Sequence, residues 1–155
     1  MTTIDTHPLR ILLVDDDKDD CDLFRDALKD TGIHTTFQVA YEGTHIMNLL
    51  SGSAETLPHL IFLDLNMPLV SGTECLREIR RASYLNSIPV IIFSTSCTAI
   101  DIEETFKGGA NLYIQKPSGY SPLVQTLKKV LALDWMKYAK ERVRSNYVIS
   151  ERAIA

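Results

Sequence analysis

Three tetrapeptides, Ile11-Leu12-Leu13-Val14, Leu60-Ile61-Phe62-Leu63 and Val90-Ile91-Ile92-Phe93, are apolar at every position. Runs this short and unbroken suit strands covered on both faces, because a half-exposed strand alternates apolar with polar residues. Thr36-Phe37-Gln38-Val39-Ala40 and Asn111-Leu112-Tyr113-Ile114 are weaker runs of the same kind. Between them, apolar residues recur at helical spacing. Cys21, Phe24, Ala27 and Leu28 precede Gly32, and Ile46, Met47, Leu49 and Leu50 precede Gly52. Cys75, Leu76 and Ile79 lie within 72–82, Ile100 to Phe106 precede Gly108-Gly109, and Leu123, Leu127, Val130 and Leu131 follow Pro122. Each stripe can cover one side of a sheet. Five strand–helix units in 155 residues predict one α/β domain: an open parallel sheet with helices on both faces and right-handed crossovers. Ligands of such sheets sit outside the carboxyl ends of the strands, where the strand order reverses.

The strand ends carry the chemistry. The first runs into Asp15-Asp16-Asp17-Lys18-Asp19-Asp20-Cys21-Asp22, six carboxylates and one ammonium in eight residues. Helix capping accounts for Asp17, Asp19, Asp20 and Asp22, since a helix N-terminus attracts carboxylates. It fits Asp15 and Asp16 poorly, because they end a buried strand. Adjacent carboxylates there repel, and one protonates unless a cation is near. Oxygen-only ligands point to Mg²⁺ or a similar hard ion rather than zinc. The third run ends in Asp64-Leu65-Asn66-Met67-Pro68, with Gly72 beyond; the fourth ends in Ser94-Thr95-Ser96, and the fifth leads to Lys116-Pro117. Singly, these read as a turn aspartate, a helix cap and a surface lysine. At one sheet edge together they supply a metal-binding acid group, a nucleophile, a hydroxyl and a cation, which suits phosphoryl transfer.

At residues 11–17 (ILLVDDD), 61–72 (IFLDLNMPLVSG), 90–96 (VIIFSTS) and 108–117 (GGANLYIQKP) the chain resembles the receiver domain of two-component response regulators. The resemblance spans about 9–133. It implies a flavodoxin-like three-layer sandwich with a five-stranded parallel sheet of order 2-1-3-4-5. It further implies that Asp64 accepts a phosphoryl group from a sensor histidine kinase or histidine phosphotransfer protein. Mg²⁺ would be bound by Asp16 and Asp64, by Asp15 through water, and by the backbone carbonyl of Asn66. Lys116 would contact the acyl phosphate, and its bond to Pro117 would be cis. Ser94 takes the switch hydroxyl position. Tyr113 takes the aromatic switch position, its ring moving inward when the hydroxyl turns to the phosphate and so shifting the population of the fourth-helix, fifth-strand and fifth-helix face. Met67 and Ser96 flank the site and would adjust the phosphate lifetime; Asp17 reads as a cap.

The remaining expectations follow from composition. Sixteen basic residues against twenty acidic ones argue against bulk nucleic-acid binding. No apolar run reaches the ~18 residues of a membrane span, and the start, MTTIDTHPLR, lacks the apolar core of a secretory signal. Cys21, Cys75 and Cys97 form no CxxC pair and read as reduced thiols of a cytoplasmic protein. His7, His34, His45 and His59 fall singly, away from the predicted crevice. Residues 1–8 are expected to form a lead-in, 9–133 the receiver, and 134–155 a partly helical extension too short for a helix-turn-helix output domain. In that extension Met136, Ala139 and Val143 recur at helical spacing, so the last helix is expected to continue. Trp135 would pack on the protein's own surface, or offer a contact for a dimer mate or kinase. The STS triplet and the Trp-containing extension resemble stand-alone regulators that serve bacteriophytochrome-type kinases, which often pair as homodimers.

Rival readings are separable. A haloacid-dehalogenase-type phosphatase also combines an aspartate nucleophile, Mg²⁺, a hydroxyl and a lysine, but needs a second acid two residues on, where Asn66 cannot donate a carboxylic proton. A flavodoxin must cradle a phosphate after its first strand, where Asp15-Asp16-Asp17 would repel it. A receiver that no longer takes up phosphoryl groups would lack side chains that are present here. A phosphorelay intermediate, a phosphate sink and a direct effector share the same residues.

Overall fold

The computed structural model describes residues 7–140 and 142–149, without the side chains of His45 and Lys140. Residues 1–6 of the expected lead-in and 150–155 of the extension lie outside them. The strands are β1 (Leu9–Val14), β2 (Thr35–Ala40), β3 (Leu60–Leu63), β4 (Val90–Ser94), β5 (Leu112–Gln115) and β6 (Val148–Ile149). The helices are α1 (Lys18–Asp30), α2 (Ile46–Leu49), α3 (Gly72–Arg81), α4 (Ala99–Lys107), α5 (Tyr120–Leu131) and α6 (Trp135–Lys140). All strand pairs are parallel, in the order β2-β1-β3-β4-β5-β6. This is the flavodoxin-like receiver fold. No helix among the described residues is long and apolar enough to cross a membrane.

Alternate side chains of each central strand feed opposite cores. Leu12, Val14, Ile61, Leu63 and Ile92 face Ile46, Cys75, Ile79 and Ile102 of α2, α3 and α4. Ile11, Leu13, Phe62, Ile91 and Phe93 face Phe24, Leu28, Leu127 and Val130 of α1 and α5. Phe24 anchors that second layer, stacked on Phe37 at 5.5 Å and edge-on to Phe62 at 5.0 Å. Caps set the helix starts: Asp17 accepts from the Asp20 amide, Ser71 from Glu74 and Thr98 from Asp101. Two glycines bend the chain where φ is positive, Gly32 after α1 and Gly109 before β5.

Two expectations need correction. The sheet has six strands rather than five. Residues 148–149 pair with Tyr113 and Ile114, covering the β5 edge. A two-residue strand has no periodicity to read; it exists because an exposed edge offers unpaired backbone groups. The last helix does not continue either: α5 stops at Leu131 and α6 begins afresh at Trp135, with Asp134 accepting from the Lys137 amide. Met136 and Val143 are consequently exposed rather than part of one buried stripe. Trp135 packs on the chain itself, against the α1–α5 layer, and its indole N–H donates to the Val130 carbonyl at 2.9 Å.

Candidate functional site

Register builds the site. Val14 of β1 lies beside Leu63 of β3, so the next residue of each strand, Asp15 and Asp64, leaves the sheet at the same level. The Asp64 amide donates to the Val14 carbonyl at 2.9 Å, and the Asp15 amide to Ala40 at 3.0 Å. Carboxylate oxygens of Asp15, Asp16 and Asp64 thereby come within 4.8 Å of one another. Asp15 is fully buried, Asp64 is 5% exposed, and Asp16 is open to solvent.

Lys116 arrives from the end of β5. Its Nζ donates to Asp15 Oδ2 at 2.8 Å and to Asp20 Oδ2 at 3.0 Å, and lies 3.6 Å from Asp64 Oδ2. Sequence alone reads Asp20 as a helix-capping acid. Its only local signal is a place on the first turn of α1, four residues after Asp16, which points it back over the strand ends. The Lys116–Pro117 bond is trans, against expectation, as no described peptide bond is cis. The two isomers of an X–Pro bond differ by only about 0.5–1 kcal/mol, so surroundings rather than the dipeptide decide.

Ser94 is fully buried at the end of β4. Its hydroxyl accepts from the Ser96 amide at 3.2 Å and lies 3.4 Å from the Asn66 amide nitrogen. It does not cap α4, which Thr98 does. The Asn66 backbone N–H points to Asp64 Oδ1 at 3.4 Å. Tyr113 is fully buried, its ring already inside, and its phenol donates to the Ser96 carbonyl at 2.6 Å. Met67 is buried in the α2–α3–α4 layer, whereas the Ser96 hydroxyl donates to Asp101 at 2.6 Å. Gly72 holds the loop that follows Asp64 tightly: a Cβ there would stand 2.1 Å from the Asp64 carbonyl oxygen and 2.7 Å from Leu65 Cα. In that loop Leu69 adopts φ +70, a left-handed conformation that a branched side chain rarely takes.

Electrostatics follow from crowding. Burial, joined by the Asp15 charge, pushes the Asp64 carboxyl up to about 6, while Lys116 and the Asn66 amide pull it down. Burial pushes the Lys116 ammonium down, but the hydrogen bond and charge of Asp15, with Asp64 and Asp20, outweigh it and hold the group above its ordinary range. Asp15, Asp20 and Asp64 thus meet one ammonium, with Asp16 beside Asp15 and Asp64, leaving uncompensated negative charge. The donor set is oxygen only, and one of its members is open to water. That fits a hard divalent cation, which keeps part of its water shell, better than a soft metal. A carboxylate held beside an ammonium, with a hydroxyl at the end of a neighbouring strand, supplies the groups that in-line attack on phosphorus uses.

The comparisons agree with this geometry. The family model described as the response regulator receiver domain matches residues 11–128. Response regulator Rcp1 of Synechocystis sp. is 32% identical over 127 residues, covering 79% of this chain and 86% of its own. The phosphorylated cyanobacterial phytochrome response regulator RcpA shares the structure with a TM-score of 0.72 at 34% identity, covering 80% of this chain and 91% of that one. The Mn²⁺-bound form of Rcp1 does so with 0.71 at 30%, covering 84% and 96%. Sheet order, site geometry and these matches lead to one conclusion: the chain belongs to the response regulator receiver domain family of two-component signalling.

Proposed function

We propose that Asp64 is the phosphoacceptor of a single-domain response regulator, charged by a sensor histidine kinase or a histidine phosphotransfer protein in the cytoplasm. A carboxylate oxygen of Asp64 attacks phosphorus, the P–N bond to the donor imidazole breaks, and the imidazole leaves with its electron pair. The observation that carries the reading is the gathering of Asp15, Asp16 and Asp64 at one crevice, with the Lys116 ammonium on Asp15 and Asp64. Asp15, Asp16, Asp64 and the Asn66 carbonyl would hold Mg²⁺, which when bound neutralises charge on the phosphoryl oxygens. Lys116 exchanges part of its contact with Asp15 for a phosphoryl oxygen, and the Ser94 hydroxyl donates to another. A groove between α1 and α5, lined by Leu23, Pro117, Tyr120 and Leu123, opens beside Lys116 and offers the donor protein an apolar seat. Output is a population shift at the α4–β5–α5 face, read by protein partners.

Incubation with a phosphoramidate and Mg²⁺ should label the protein to about one equivalent, without the continued turnover of a phosphatase. Asp64→Ala should abolish labelling, as should chelation of the metal. Labelling that persists in Asp64→Ala places the acceptor elsewhere and overturns the reading. Homodimerisation belongs to the same proposal, and light scattering with and without beryllofluoride measures it directly.

A further inference from the structure

We infer that Tyr147, in the segment after α6, is a positioning residue for phosphoryl acceptance. Packed against Tyr113, it holds that ring inward and keeps the end of β4 in the arrangement that receives a phosphoryl group. The inference rests on the proposed role of Asp64.

Tyr147 is 1% exposed, although it lies in a segment whose residues 142–146 are all exposed. It is held from three sides. Its ring meets Phe106 of α4 edge-on at 5.1 Å and Tyr113 of β5 at 6.1 Å. Its hydroxyl donates to Thr105 Oγ1 at 2.7 Å, and its carbonyl accepts from the Tyr113 amide at 2.8 Å. Arg142 reinforces the seat, with Nε donating to the Ala110 carbonyl at 3.0 Å and its guanidinium 4.4 Å from the Phe106 ring. Arg144 adds an ion pair to Glu103 at 2.7 Å.

From Tyr147 two chains of contact lead to Ser96. One runs through Tyr113, whose phenol donates to the Ser96 carbonyl. The other runs through Thr105, whose hydroxyl donates to the Asp101 carbonyl at 2.7 Å; the Asp101 carboxylate accepts from the Ser96 hydroxyl at 2.6 Å. The Ser96 amide in turn donates to the Ser94 hydroxyl oxygen at 3.2 Å. The docked segment thus braces the strand end that carries the hydroxyl facing the site. The docked segment packs on the Tyr113 ring in its inward position, the position that ring is expected to take on phosphorylation. Docking and phosphorylation therefore favour the same arrangement, and coupling between them is positive and reciprocal.

The test uses full-length protein, with beryllofluoride as the phosphoryl mimic in the presence of Mg²⁺. Losing the Tyr147 ring in Tyr147→Ala should weaken beryllofluoride binding about threefold to tenfold, the worth of a buried aromatic contact. Affinity for Mg²⁺ alone should stay unchanged, since no ligand-bearing loop is touched. Tyr147→Phe keeps the ring, loses only the Thr105 bond, and should fall between wild type and Tyr147→Ala. In the wild type, beryllofluoride should slow hydrogen exchange at the Tyr113 amide, which donates into the docked segment. Equal beryllofluoride affinities in wild type and both variants, or faster exchange at Tyr113 on activation, overturn the inference alone. A wild type that binds no beryllofluoride overturns the receiver chemistry on which it rests.

Discussion

Lys116→Met isolates the electrostatic claim on which the site depends. The ammonium lies 2.8, 3.0 and 3.6 Å from carboxylate oxygens of Asp15, Asp20 and Asp64, and its own side chain is 11% exposed. Methionine keeps the apolar stem, so packing changes little. Removing one partner of a buried ion pair costs about 3–5 kcal/mol, because it strands a charge. The lower end applies here. Asp20 is 39% exposed and can turn to water, and Asp64 can take a proton. The expected loss is therefore about 3 kcal/mol at pH 8 in a chelating buffer, or about 6–12 °C of melting temperature for a domain of this size.

Acid should repair part of the loss. The Asp64 carboxyl titrates near 6 in the folded chain and near 3.8 unfolded, so folding takes up a proton between those values and stability from this group rises as pH falls through that window. Without Lys116, which pulls the group down, the folded value climbs further and the recovery starts at higher pH. Mg²⁺ should narrow the gap as well, by replacing the missing positive charge. Urea titrations at pH 8 and 5.5, with and without Mg²⁺, read all three effects. A loss under about 1 kcal/mol at pH 8, or an equal loss at pH 5.5, would refute the idea that a crowded, charge-dependent cluster holds the strand ends together.

Three further outcomes follow from other parts of the molecule. Gly72→Ala should destabilise by about 1–3 kcal/mol, because its methyl meets the backbone of Asp64 and Leu65, and phosphoryl labelling should drop with it; urea titration beside labelling checks both. Thr126 is 1% exposed and its hydroxyl has no partner, so Thr126→Val should raise stability by about 1 kcal/mol in the same titration. Burial pushes the Cys21 thiol up to about 12 and the Cys75 thiol up to about 11, so at pH 8 both should resist iodoacetamide in the folded protein while half-buried Cys97 reacts, as mass spectrometry of the digested product would record.

Much of the architecture was legible beforehand because burial leaves a local imprint. Apolar tetrapeptides at 11–14, 60–63 and 90–93 became the three central strands, and helical stripes became the helices that cover them. The acids at 15, 16 and 64 could be located because parallel strands release their last residues at a common edge. Asp17 as a cap was equally readable, since capping involves only neighbours in the chain.

What the sequence determined by itself was thus the set of elements, their order and which ends would bear charge, all consequences of period and position. Tertiary structure alone decided the partners. Asp20 turned from a helix-start acid into a ligand of Lys116, 96 residues away. Val148 and Ile149 became a sixth strand, and Tyr147 a core residue. The Lys116–Pro117 bond stayed trans, and Tyr113 lay inward. Each of these depends on surfaces that exist only once the sheet has closed against its helices, where an unpaired edge, a buried acid or a half-covered ring takes whichever group the chain brings within reach.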